Sequence, residues 1–176
     1  MNAAFNVIGI FGRVKNQGVI ETLEALVQYL ESLNKELVIE TETALLLDCP
    51  QIKVVPRHEI SKHCELLIVV GGDGSLLNAA HAVVERQIPV LGINRGRLGF
   101  LTDILPLELE KIGPILNGHY RCEERFLLTA RVEKDNELIG KSDALNEVAM
   151  IPDTVPHMNE FEVYVNDQFV CSQDSD

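Results

Sequence analysis

The residues with the most chemistry to offer lie in the run Gly71-Gly72-Asp73-Gly74-Ser75. Three glycines let a backbone approach phosphate oxygens closely and take conformations closed to other residues. An apolar stretch, Leu66 to Val70, precedes the run, and an amphipathic one starts at Ser75. A strand that turns into a helix there offers free N–H groups and the positive end of a helix dipole, which together make an anion site. The run is neither a Walker A sequence nor GxGxxG. No lysine follows it, so much of the phosphate charge falls to a metal ion. An acid in a phosphate loop repels bare phosphate. Asp73 makes sense there if it takes the proton of an attacking hydroxyl or holds Mg²⁺. The plainer alternative is a tight turn in which Asp73 caps the helix that starts near Ser75.

Two further stretches carry candidate ligands. Gly92-Ile93-Asn94-Arg95-Gly96-Arg97-Leu98-Gly99-Phe100-Leu101-Thr102-Asp103 also follows an apolar strand, so it is expected beside the first loop. Within it Asn94, Arg95 and Arg97 are candidate phosphate contacts, against the alternative of a solvated surface loop. Asn146-Glu147 joins an amide to a carboxylate, a pair that can read a ribose or the edge of a base; alone, it also suits a turn leading into a strand. His157, Asp174 and Asp176 carry little signal by residue type. His58, His63, His81 and His119 have no ligand spacing and read as structural.

The elements that must position these residues follow from periodicity. Asn6 to Phe11 reads as a buried strand closed by Gly12, and Val19 to Leu33 as an amphipathic helix stopped by Asn34. Leu37 to Ile39 is a strand and Thr43 to Leu47 a short helix. Leu66 to Val70 is continuously apolar, as a parallel strand covered on both faces should be. A helix is predicted from Ser75 to Arg86, a strand from Pro89 to Ile93, and a helix from Leu107 to Leu116 with Asn117-Gly118 as its stop. Beyond that the grammar becomes β: strands at Phe126–Val132, Leu138–Ala144, Asn146–Ile151, Phe161–Val165 and Phe169–Ser172, with turns at Lys134-Asp135-Asn136, Pro152-Asp153 and Asn166-Asp167. The expected fold is thus an α/β domain with a parallel, Rossmann-like sheet over residues 1–118, followed by an antiparallel β-rich domain that begins at 119. The sequence stops at Gln173-Asp174-Ser175-Asp176, just after a strand, so the β-rich part is expected to be incomplete.

Bulk properties narrow the class. The net charge is −12, with 27 acids against 15 bases, and such a surface repels duplex nucleic acid and anionic membranes. The acid is concentrated late: residues 126–176 hold 11 acids and 3 bases. Cys49, Cys64, Cys122 and Cys171 form no CxxC pair, so neither a zinc site nor a disulfide framework is expected, and free thiols suit a reducing cytosol. The N-terminus lacks the basic-then-apolar pattern of a signal peptide, and no apolar run is long enough to span a membrane.

Taken together, the Gly71–Gly74 run, the Gly92–Asp103 stretch and Asn146-Glu147 resemble the bacterial NAD kinase family. The likeness extends through His157-Met158 and Phe161-Glu162-Val163-Tyr164 to Ser172-Gln173 and Ser175-Asp176, so it covers most of the chain. The first motif is shared with diacylglycerol-type and sphingoid lipid kinases and with phosphofructokinase relatives; the second and third in this order are more specific to NAD kinases. The resemblance implies phosphoryl transfer from ATP (polyphosphate in some members) to the adenosine ribose of NAD, with a divalent metal such as Mg²⁺, in a cytoplasmic homo-oligomer, a dimer or tetramer. It puts the catalytic acid at Asp73 and substrate contacts at Gly74, Asn146, Glu147, His157, Asp174 and Asp176. One position departs: the family usually carries a basic residue where this chain has Asp174. Two rival readings remain, a lipid kinase and a truncated, inactive nucleotide-binding fragment.

Overall fold

The computed structural model describes residues 4–12, 17–96, 99–151 and 159–175. The chain divides into two compact units, Met1–Leu127 and Leu128–Asp176. The expected boundary was Gly118. The segment just past it belongs with the first unit, where the Tyr120 ring stacks on Phe5 at 5.2 Å.

The first unit is an α/β layer. Its elements are β1 (Val7–Gly12), α1 (Gln17–Ser32), β2 (Glu36–Glu40), α2 (Thr41–Ala44), β3 (Lys53–Val55), β4 (Leu66–Gly71), α3 (Asp73–Ala80), β5 (Val90–Asn94) and α4 (Ile112–Leu116), with 3-10 turns at Arg57–Lys62, Val84–Arg86 and Leu109–Lys111. The five strands form one parallel sheet in the order β3-β2-β1-β4-β5. In β4 the side chains alternate between two cores. Leu66, Ile68 and Val70 join Leu23, Leu26 and Leu30 of α1, while Leu67 and Val69 join Ala79 of α3 with Phe11 and Ile60. Covering both faces is why this strand is apolar throughout. Each such side chain contributes roughly 1.5–3 kcal/mol by leaving water.

Several sequence expectations change in detail. The helix drawn from Ser75 to Arg86 begins at Asp73 and ends at Ala80. Beyond Ala80 the bonds tighten to three residues, Ala82 N–H to the Ala79 carbonyl and Val83 N–H to that of Ala80, and Gln87 turns left-handed at φ 53°. The β-branched pair Val83-Val84 favours that exit over another helical turn. The helix drawn over Leu107–Leu116 is a 3-10 turn followed by the short α4. β3 was not anticipated; three residues are too few to show a period.

The second unit holds two hairpins, β6 (Leu128–Lys134) with β7 (Glu137–Ala144) and β8 (Asn159–Val165) with β9 (Gln168–Ser175). Their turns are the predicted ones. Asp135, Asn136, Asn166 and Asp167 all have positive φ, 50° to 64°, the pairwise left-handed geometry that joins tightly paired strands. The strand expected over Asn146–Ile151 is absent. Alternation forms a strand only where a partner supplies the ladder, and none does so among the described residues; Val148, Met150 and Ile151 are exposed. The Pro152-Asp153 turn lies outside the described residues.

Candidate active site

Strand order reverses between β1 and β4. From β1 the chain crosses through α1 to β2, and from β4 it crosses through α3 to β5 on the opposite face. Crevices at such a reversal, at the carboxyl ends of the strands, are where open α/β sheets bind ligands. Gly12 ends β1 there, and Gly71 ends β4 beside it.

Gly72 is the N-cap of α3 and Asp73 its first residue. The amides of Ser75 and Leu76 turn back to the Gly72 carbonyl at 2.9 and 3.2 Å. Those of Asp73 and Gly74 precede the first helical bond, so they are the orphan donors of the helix start. Asp73 does not cap its own helix. Its Oδ2 accepts from the Phe100 N–H at 2.8 Å and its Oδ1 from the Leu101 N–H at 3.2 Å.

The second loop thus meets the first, as its position after β5 implied. The Arg95 amide donates to the Gly71 carbonyl at 2.9 Å. Gly96 approaches Gly72 so closely that a Cβ on Gly96 would lie 3.4 Å from the Gly72 Cα. Asn94 is buried, and its Oδ1 accepts from the Gly96 amide at 2.8 Å, which shapes the loop from within. Arg95 reaches α1: its Nε donates to Thr22 Oγ1 at 2.5 Å, and that hydroxyl donates to the Gly18 carbonyl at 2.9 Å. Thr102, two residues past Phe100, packs over Gly92, and its buried Oγ1 has no partner among the described residues.

Sequence reasoning missed two polar arrangements here. One is Thr22, only 2% exposed and the anchor of Arg95. The other is Glu40, also 2% exposed, at the end of β2. Its Oε2 accepts from Thr43 N–H at 2.9 Å, and the Thr43 hydroxyl accepts from the Gly12 amide at 3.0 Å. An acid ending an apolar strand three residues before a threonine is a readable capping signal for Glu40. Nothing in the sequence marks Thr22.

The remaining candidates fall in the second unit or outside the described residues. Asn146 and Glu147 follow β7 in the second unit and are exposed; Asp174 lies in β9, opposite Glu160. Arg97, His157 and Asp176 lie outside the described residues. Among the described residues no cluster of three His, Cys, Asp or Glu side chains is placed to hold a metal ion.

Residues 8–123 match the family described as the ATP-NAD kinase N-terminal domain. The chain is 53% identical over 173 residues to an NAD kinase of Coxiella burnetii (strain RSA 493 / Nine Mile phase I) and 48% identical to one of Pseudomonas entomophila (strain L48). Each match covers 98% of this chain and 58% of the relative, so the chain spans little more than half the length of these proteins. Among solved structures it is similar to yeast NADH kinase complexed with NADH, with a TM-score of 0.79 and 18% identity over 99% of this chain and 56% of that one, a likeness of fold. With its glycine loop, its Asn94–Asp103 loop and its parallel sheet inside the matched region, the chain belongs to the ATP-NAD kinase family.

Proposed function

We propose that the protein transfers the γ-phosphoryl group of ATP to the 2′-hydroxyl of the adenosine ribose of NAD, giving NADP and ADP, with Asp73 as the base. One observation carries the reading: the Asp73 carboxylate stands at the head of α3, at the strand-order reversal, held through both oxygens by the second loop. Each carboxylate oxygen has two acceptor positions, and the amides of Phe100 and Leu101 use one apiece. The others are left for the hydroxyl proton. As the 2′-oxygen bonds to the γ-phosphorus, its O–H proton passes to Asp73, the bond from phosphorus to the bridging oxygen breaks, and ADP leaves.

The orphan amides of Asp73 and Gly74, with Gly71 and Gly72 allowing close approach, receive phosphate oxygens; Ser75 supports this loop through its inward-turned amide. Arg95, tethered through Nε, has terminal nitrogens without a partner among the described residues and directs them to phosphate, with Asn94 shaping its loop and Arg97 alongside in sequence. Asn146 and Glu147 orient the adenosine, and His157, Asp174 and Asp176 contact NAD. A divalent cation fits as a companion of the nucleotide. Mg²⁺ keeps several waters beside phosphate oxygens, so it would ride on the ATP phosphates and neutralise phosphoryl charge there, leaving the open lone pairs of Asp73 for the hydroxyl proton. In this reading the protein is a cytoplasmic homo-oligomer, a dimer or tetramer, and binds neither nucleic acid nor membrane. Free cysteines and a net charge of −12 support it, and no helix among the described residues is long and apolar enough to cross a membrane.

The test is chromatographic detection of NADP after incubation with NAD, ATP and Mg²⁺, alongside the Asp73→Asn variant. NADP from the wild type alone supports the reading. Equal NADP from both removes Asp73 from the chemistry, and phosphorylation of a sphingoid base or diacylglycerol without NADP would replace NAD as acceptor.

A further inference from the structure

The two amides that hold Asp73 belong to a loop that is itself pinned to the sheet. Asn94 N–H donates to the Ile104 carbonyl at 2.8 Å, and Ile104 N–H donates to the Gly92 carbonyl at 3.2 Å, so the loop's two ends are tied together on β5. Inside the loop, Gly99 faces the carboxylate. A Cβ built on Gly99 would stand 2.3 Å from Asp73 Oδ1, 2.4 Å from Cγ and 2.5 Å from Oδ2. No other described residue lies among its three nearest neighbours. The carboxylate therefore rests flat against the bare Cα of Gly99, with one N–H from each of the next two residues on its oxygens.

Resting on the kinase reading above, we propose that Gly99, with the Phe100 and Leu101 amides, is a carboxylate seat that aims Asp73 at the acceptor hydroxyl, making Gly99 a positioning residue. A base must keep a lone pair directed at the proton it removes, within hydrogen-bond reach. α3 fixes the Asp73 backbone, yet its side chain can still rotate. Two donors on a loop tied to β5 remove that freedom, and only a residue without a side chain lets them come close enough. Any larger residue at 99 meets the free end of a side chain rather than backbone, so the carboxylate swings off its seat while the fold stays intact.

Two readouts test this on the whole chain. Gly99→Ala should lower kcat for NADP formation at least tenfold and leave KM for NAD within twofold, because the substrate-binding groups are untouched. It should also lower Tm, and that loss should vanish when Gly99→Ala is made in an Asp73→Gly background, where no carboxylate remains to displace. An unchanged or higher kcat would overturn the proposal, the second by showing that the seat restrains the base. A Tm loss of equal size in the Asp73→Gly background would also overturn it, by showing that the added methyl meets something else. If the wild type makes no NADP, it is the kinase reading that fails for this chain, and the paired Tm measurements still decide the seat.

Discussion

In the proposed reaction Asp73 meets two demands that compete in most carboxylates: to be held still and to keep a lone pair open. Two backbone N–H groups hold it, and neither contributes a side chain that could take the proton. Replacing it with Asn removes the negative charge and also turns an NH₂ group toward one of those donors. The expected outcome for Asp73→Asn is a fall in NADP formation of roughly 10²–10⁴-fold, with the NAD dissociation constant from calorimetry within a few-fold of wild type. Cys64 illustrates the opposite case, a group kept inert. It is buried, its thiol donates to the Ile60 carbonyl, and burial pushes its pKa from 9.0 up to about 11. Below pH 9 folded and unfolded chains both hold the proton. Between 9 and about 11 only the folded chain does, so stability falls as pH rises through that window. Iodoacetamide at pH 8 should therefore label the exposed Cys122 in the native protein and reach Cys64 only after urea is added, as mass spectrometry of the peptides would show. Early labelling of Cys64 would mean that its site opens without global unfolding. Residue types made the Gly-Gly-Asp-Gly run legible in the sequence. Its partners were not legible, because Phe100 is 27 positions from Asp73 and Thr22 is 73 from Arg95, and nothing local encodes either meeting.

Elements were read correctly where burial imposes a pattern. β4 is apolar throughout because both its faces are covered, and α1 shows three-and-four spacing because one face packs on the sheet. Asn34 stops α1 with a left-handed residue at φ 54°, as its sequence position suggested. Misreadings fall where local pattern and tertiary partner disagree: the exit of α3 at Ala80, the missing strand at Asn146–Ile151, and the three-residue β3. The link between α1 and the second loop is an element-scale contact that can be measured. The Thr22 hydroxyl accepts from the Arg95 Nε–H and donates to the Gly18 carbonyl, so one hydroxyl joins the helix start to the loop after β5. Valine has nearly the same shape and neither function. Thr22→Val should destabilise the protein by about 1–3 kcal/mol in urea unfolding, by leaving the partly buried Arg95 Nε–H without its acceptor. Because Lys lacks an Nε–H fork, Arg95→Lys should lose much of the same interaction, and the two changes together should cost clearly less than their sum. Full additivity would mean that the short contact contributes nothing to stability.

At the scale of the molecule, burial is distributed very unevenly. Every buried hydrophobic side chain among the described residues lies before Leu127, all but Leu76 and Ala80 in the two cores that sandwich the parallel sheet. In the second unit Val132, Leu138, Ile139, Val163, Phe169 and Val170 are all exposed to some degree beyond a third, and each hairpin has a single ladder. A two-stranded hairpin without a covered face is marginal in water, whatever the quality of its turn. Charge adds to the contrast, since residues 126–176 carry 11 acids against 3 bases and repel one another at neutral pH. Native opening free energies follow such differences, from near zero for exposed ladders to the global value for core strands. Hydrogen exchange on this chain, followed by mass spectrometry, should therefore show two tiers. Amides of β1 and β4 should exchange last, and those of β6 through β9 at least roughly a hundredfold faster. Thr22→Val should accelerate the slow tier and leave the fast one alone, because its contacts lie wholly within the first unit. Equal protection of β4 and β8 would mean that the hairpins are stabilised by contacts that their exposed side chains do not reveal, and the picture of one well-packed unit beside one loosely held one would have to be given up.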